Sequence, residues 1–219
     1  VRNPSLPGFL HNLQGIVQVM QRPRSQLLPL LRSPFLGELL AWLYLHPETD
    51  YSVTELAEIL RVSTSTVSRE AGHLAKVGLL IETRRGNLRL LRAATDHRLA
   101  RPLTELLALT YGPAAVLGDV LRSLDGVEEA YIYGSWAARY AGEPGPPPRD
   151  VDVLVVGDVD EDDLADRARV AERRLGREVN AHRVSVDAWR SSGEDPFLGS
   201  VRSRPLYTIG DGDEVAAGP

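Results

Sequence analysis

Asp150 and Asp152 stand one residue apart in RDVDVLVVGD, ahead of an unbroken apolar run from Val153 to Val156. Like charges that close repel, and burying either one unpaired is costly. The hard oxygens of two carboxylates suit Mg2+, with the phosphates of a nucleotide completing its shell. Upstream, Gly134 and Ser135 open a short helical stretch whose backbone N–H groups offer an anion site. A second set of candidates lies in the first half of the chain. Thr64, Ser65, Ser68 and Arg69 present hydroxyls and a guanidinium on one helix, and Arg84, Arg85 and Arg89 follow close behind. Such groups bond phosphates and base edges, and clustered arginines neutralise the backbone of duplex DNA.

Composition bounds what can surround these groups. The 219 residues suffice for one large domain or two small ones, and 43% hydrophobic with 25% charged residues describes a globular chain. Cysteine is absent, which excludes disulfides and thiolate metal sites and fits a reducing compartment. No apolar run reaches membrane-spanning length, and the start carries no cationic head with a cleavage site, so the expected location is cytoplasmic with no membrane partner. The net charge of −5 is unevenly spread: residues 1–112 hold 13 basic against 9 acidic side chains, residues 113–219 hold 12 against 21. A basic front and an acidic back imply two modules with different partners.

The front module reads as helix, helix, turn, helix, hairpin over residues 33–95, behind an N-terminal helical arm over 1–32. Phe35, Leu36, Leu39, Leu40 and Leu43 share one helix face, closed by Pro47. Ser52 and Glu55 form a capping-box pair that opens the next helix, burying Leu56, Ile59 and Leu60. Ser63 caps a third helix whose Val67, Ala71 and Leu74 face inward, and Gly78 suits its C-terminal stop. Two short strands flank Arg85-Gly86-Asn87. This segment resembles the winged helix-turn-helix regulators of the MarR/ArsR type. The resemblance implies double-stranded DNA as a partner, the third helix in the major groove, and a homodimer. Residues 96–125 read as a helical connector with Leu103, Leu106, Leu107 and Thr110 on one face and a break at Gly112-Pro113. The arm (Leu6, Phe9, Leu10, Leu13, Ile16 and Val17) and the connector are the expected dimer contacts.

Residues 126–219 begin with a strand through Tyr133, then the Gly134-Ser135 helix, a proline-rich loop, and the strand bearing Asp150 and Asp152 on one face and Val151, Val153 and Val155 on the other. An amphipathic helix with Leu164, Ala168, Ala171 and Leu175 inward leads into a strand with Glu178 and Asn180 on one face. A short helix packing Phe197 and Leu198 and a terminal strand at 206–209 follow. Trp136 is assigned to the core and His182 to the surface. The unit resembles the minimal nucleotidyltransferases of the DNA polymerase β superfamily. That resemblance implies nucleoside triphosphate contacts at Gly134 and Ser135 and Mg2+ at Asp150 and Asp152. It also implies a third carboxylate on the neighbouring strand, for which Glu178 is the candidate.

The expected fold class is therefore α+β, a winged helix-turn-helix followed by a small mixed-sheet nucleotidyltransferase-like domain. The expected function is a DNA-binding transcriptional regulator with a metal- and nucleotide-binding domain. The alternative is an active nucleotidyltransferase that moves a nucleotidyl group to a protein, RNA or small molecule, including in an antitoxin-like role. The third carboxylate separates the two, so enzymatic activity is left open.

Overall fold

The computed structural model describes residues 33–145, 148–191 and 195–210, with the backbone of a last strand at 215–216. The N-terminal arm and its expected dimer contacts lie outside these residues. Helix α1 (Pro34–Leu45) starts on the Ser33 hydroxyl, which accepts from the Leu36 N–H, with proline at its first position. Strand β1 (Tyr51–Ser52) leads into α2 (Val53–Leu60), where Ser52 and Glu55 form the expected reciprocal capping box. Helix α3 (Thr64–Lys76) is capped by Ser63, and the chain leaves it through Gly78, with φ at 77°. Strands β2 (Leu80–Arg85) and β3 (Leu88–Ala93) pair antiparallel around a two-residue turn at Gly86-Asn87, giving the sheet order β1-β3-β2.

Two helices follow, α4 (Ala100–Tyr111) and α5 (Pro113–Leu121), separated at Gly112. They do not form an independent linker. Ala100 and Leu107 of α4 join the first core with Leu39, Leu43, Leu56, Val67 and Leu91, whereas Val116, Leu117, Val120 and Leu121 of α5 join the second. Ile59 differs from its expected burial and stays 37% exposed, because α2 turns that side of its stripe to solvent. Leu106 is likewise exposed on α4.

The second unit runs β4 (Val127–Tyr133), α6 (Gly134–Tyr140), β5 (Asp150–Gly157), α7 (Glu161–Leu175), β6 (Glu178–Val184), α8 (Val186–Arg190), α9 (Pro196–Arg202), β7 (Leu206–Thr208) and β8 (Val215–Ala216). The sheet order is β6-β5-β4-β7-β8, with β5 antiparallel to β4 and parallel to β6 across the α7 crossover. Val151, Val153 and Val155 face a core shared with α5, α6 and α7, including Trp136. The opposite face is only partly covered: Leu154 and Val156 pack with Trp189, Leu198 and Val201, leaving Asp150 and Asp152 at the open end. Leu198 is buried as expected, but Phe197 beside it is 44% exposed. The two units meet where the buried Arg177 donates to the Leu45 carbonyl at the end of α1 and approaches Glu48 at 3.6 Å.

Candidate nucleic-acid interface and carboxylate site

The first half presents α3 and the β2–β3 hairpin on one side. Thr64, Ser65 and Arg69 are exposed along the first two turns of α3. Ser63 accepts from the Thr66 N–H while its hydroxyl lies 2.9 Å from that of Ser65, so the hydroxyl cluster is held by the cap itself. Arg69 lies 3.5 Å from Glu70 at a strongly exposed position, a weak pairing. Arg84 and Arg85 sit opposite Arg89 and Leu88 at the hairpin tip, exposed and without an ion pair to another described residue. Ser68 and Arg89 are placed differently. Arg89 donates to the Ser68 hydroxyl at 2.7 Å, to the Ser68 carbonyl at 3.2 Å and to Glu82 at 2.7 Å. Its guanidinium ties the hairpin to α3 and sets the angle between them, with Arg84 and Arg85 beyond it as the exposed charge.

The second site is built by strand register. Tyr133 of β4 stands opposite Asp152, and on the other side Asp150 pairs with Glu178 and Asp152 with Asn180. Alternation puts Tyr133, Asp150, Asp152, Glu178, Asn180 and His182 on one face. Asn180 Nδ2 donates to Asp152 Oδ1 at 3.2 Å. The other oxygen, Oδ2, lies over Gly134, where an added Cβ would come within 2.6 Å of it. Gly134 also adopts φ 68°, so the position requires glycine twice over. Burial pushes the Asp152 carboxyl above its usual range; Asp150's charge adds to this, while Asn180 and His182 oppose it. Ser135 follows, exposed, on α6.

The residues present suit a magnesium ion in part. Asp150 and Asp152 offer two hard-oxygen donors, matching the one or two protein carboxylates Mg2+ commonly takes alongside phosphate and water. Among the described residues no group of three His, Asp or Glu side chains converges as a ready metal cage. Glu178 is exposed beside Asp150, and the group that touches Asp152 is the amide of Asn180. Strand alternation alone puts Asn180 on this face; the parallel β5–β6 register is what brings its amide to Asp152.

No known family matches the chain, and no curated protein does. Among solved structures, it is similar to the transcription regulator MepR of Staphylococcus aureus, at 17% identity over 47% of this chain and 75% of that one, with a TM-score of 0.35. The heme sensor PefR of Streptococcus agalactiae matches at 18% identity over 48% and 74%, with a TM-score of 0.32. The adhesin competence repressor AdcR of Streptococcus pyogenes matches at 18% over 47% and 72%, with a TM-score of 0.31. Similarity at this level assigns no family. Among the described residues no helix is long and apolar enough to cross a membrane.

Proposed function

We propose that the protein is a DNA-binding transcriptional regulator whose second unit binds a nucleoside triphosphate through Mg2+ at Asp150 and Asp152. The observation that carries the DNA-binding half is the exposed pair Arg84 and Arg85 on a hairpin that Arg89 fixes against α3, whose Thr64, Ser65 and Arg69 point to solvent. In this reading α3 enters the major groove, and the hairpin arginines grip phosphate. The exposed Leu99, Leu106 and Leu109 around α4 support a homodimer, since a second copy would cover them.

The nucleotide half is supported by strand β4, the Gly134-Ser135 helix and the two aspartates of β5, a sequence of parts like that of the nucleotidyltransferases. Bound Mg2+ would supply charge neutralisation for the phosphates. Asp150 and Asp152 would hold it, while Asn180 fixes the Asp152 carboxylate and Gly134 lets the chain pass close beneath. Asn180 is neutral and cannot take a proton from an attacking hydroxyl, which favours binding over turnover. Glu178, opposite Asp150, is the residue that sustains the alternative of nucleotidyl transfer.

Fluorescence anisotropy with duplex fragments from the region upstream of the protein's own gene tests the first half. Salt-sensitive binding is expected, and no retention at low salt would overturn it. Calorimetry with Mg2+ and nucleoside triphosphates tests the second.

A further inference from the structure

Three rings from three separate elements converge beside Asp152. Tyr133 ends β4, His182 lies on β6 two residues beyond Asn180, and Phe197 stands in the first turn of α9. Tyr133 meets Phe197 edge-on, with centroids 6.0 Å apart and planes at 80°, while His182 is tilted against both, at 6.3 Å and 52° from Tyr133 and 5.6 Å and 56° from Phe197. The local structure holds Phe197 outward. Asp195 accepts from the N–H groups of Phe197 and Leu198, Pro196 occupies the first helical position, and Leu198 is inserted into the core below. The Phe197 ring thus remains 44% exposed while its neighbour anchors the helix. Tyr133 stands directly opposite Asp152 in the β4–β5 register, which sets the cluster beside that carboxylate.

We propose that the exposed ring of Phe197, held edge-on by Tyr133 and at a tilt by His182, is the platform on which the base of a nucleotide stacks while its metal-bound phosphates sit at Asp150 and Asp152. This rests on the nucleotide-binding reading above and names the part of the site that takes the base. Residues two apart on a strand stand about 6.6–7 Å apart at their Cα atoms, so His182 follows Asn180 along the same face, away from Asp150. An exposed π-face beside a metal-phosphate anchor fits an aromatic ring carried on a phosphate chain. A single such face accepts any base, because stacking needs no matched set of hydrogen bonds. The site accordingly discriminates nucleotides from bare polyphosphate more than one base from another.

The test uses the full chain, Mg2+, and calorimetric titration with ATP, GTP, UTP and inorganic tripolyphosphate. Wild type is expected to bind the three nucleotides within a few-fold of each other and all more tightly than tripolyphosphate. Phe197→Ala should weaken ATP by roughly tenfold or more and leave tripolyphosphate unchanged. Phe197 is partly exposed, so a thermal midpoint near wild type confirms that the variant folds; Tyr133→Leu supplies the second variant. Equal affinity of wild type for ATP and tripolyphosphate, or ATP affinity undiminished in both variants, overturns the platform while sparing the metal-phosphate site. Failure of wild type to bind either ligand overturns both.

Discussion

Arg89 and Ser68, 21 residues apart in sequence, are joined by a 2.7 Å hydrogen bond that fixes the hairpin to the third helix. The same guanidinium pairs with Glu82 at 2.7 Å and is only 23% exposed. Arg89→Ala leaves these partners unmet and should cost about 1–3 kcal/mol of stability, seen in chemical denaturation. Arg84→Ala with Arg85→Ala should leave stability within about 0.5 kcal/mol of wild type, because both are exposed. That double variant should weaken DNA of every sequence and flatten the salt slope by up to about 2, in anisotropy at several salt concentrations. A double variant that retains the wild-type slope would remove the hairpin from the interface.

Much of the first unit could be read from local chemistry. Ser52 with Glu55, Ser63 ahead of Thr64, and Gly78 after Val77 are helix-boundary signals whose meaning lies within a few residues. What escaped reading depends on distant partners. Arg84, Arg85 and Arg89 are alike in type, and only the contact across to Ser68 of α3 sets Arg89 apart. Phe197 and Leu198 are adjacent apolar residues, and the α9 cap decides which is buried. Asn180 lies 28 residues from Asp152, and the parallel crossover brings them together.

Arg61, between α2 and α3, adopts φ 55° and ψ 46°, a left-handed conformation that disfavours side chains with a Cβ. Its N–H reaches the Ala57 and Glu58 carbonyls, so the backbone geometry is set by the helix end and not by the guanidinium. Arg61→Gly should relieve the strain, offset in part by the greater freedom of glycine in the unfolded chain. A gain of up to about 1 kcal/mol is expected, or roughly 2–4 °C in thermal midpoint for a chain of this size. A lower midpoint for the variant would show that the Arg61 side chain contributes contacts of its own.

The joint between the units carries a pH dependence. His46 stacks on Trp42 at 4.7 Å, and its Nδ1 lies 2.7 Å from the Trp42 carbonyl. Gly176, at φ 63°, presses against the same indole, and Arg177 adjoins. Burial lowers the imidazole below its ordinary 6.5; the Trp42 carbonyl and Glu48 oppose that, and Arg177 adds to it. The unfolded chain therefore binds a proton more readily than the folded one. Stability from this group is present above pH 6.5 and declines as pH falls through 6.5 toward the folded value. Thermal midpoints taken between pH 8 and pH 5 should fall more steeply for wild type than for His46→Gln. Parallel curves would exclude His46 as a source.

The paired aspartates give opposite signs with and without ligand. Asp152 has its folded-state carboxyl raised, chiefly by burial and next by Asp150, so the folded chain holds that proton more tightly than the unfolded chain does. The associated stability is present below the ordinary carboxylate range and is lost as pH rises through the raised value, leaving the apo site strained at neutral pH. Asp152→Asn removes the charge but keeps the shape, and should raise the apo midpoint at pH 7 relative to wild type. Mg2+ with ATP at a hundredfold its dissociation constant should stabilise wild type by about 2.7 kcal/mol, or roughly 5–10 °C, and Asp152→Asn not at all. Gly134→Ala separates charge from shape. Its Cβ would meet Asp152 Oδ2 at 2.6 Å, so this variant should lose both apo stability, by about 1–3 kcal/mol, and the ligand-dependent shift. If Asp152→Asn destabilised the apo protein instead, the hydrogen bond from Asn180 would outweigh the burial and repulsion, and the site would be held together without any metal.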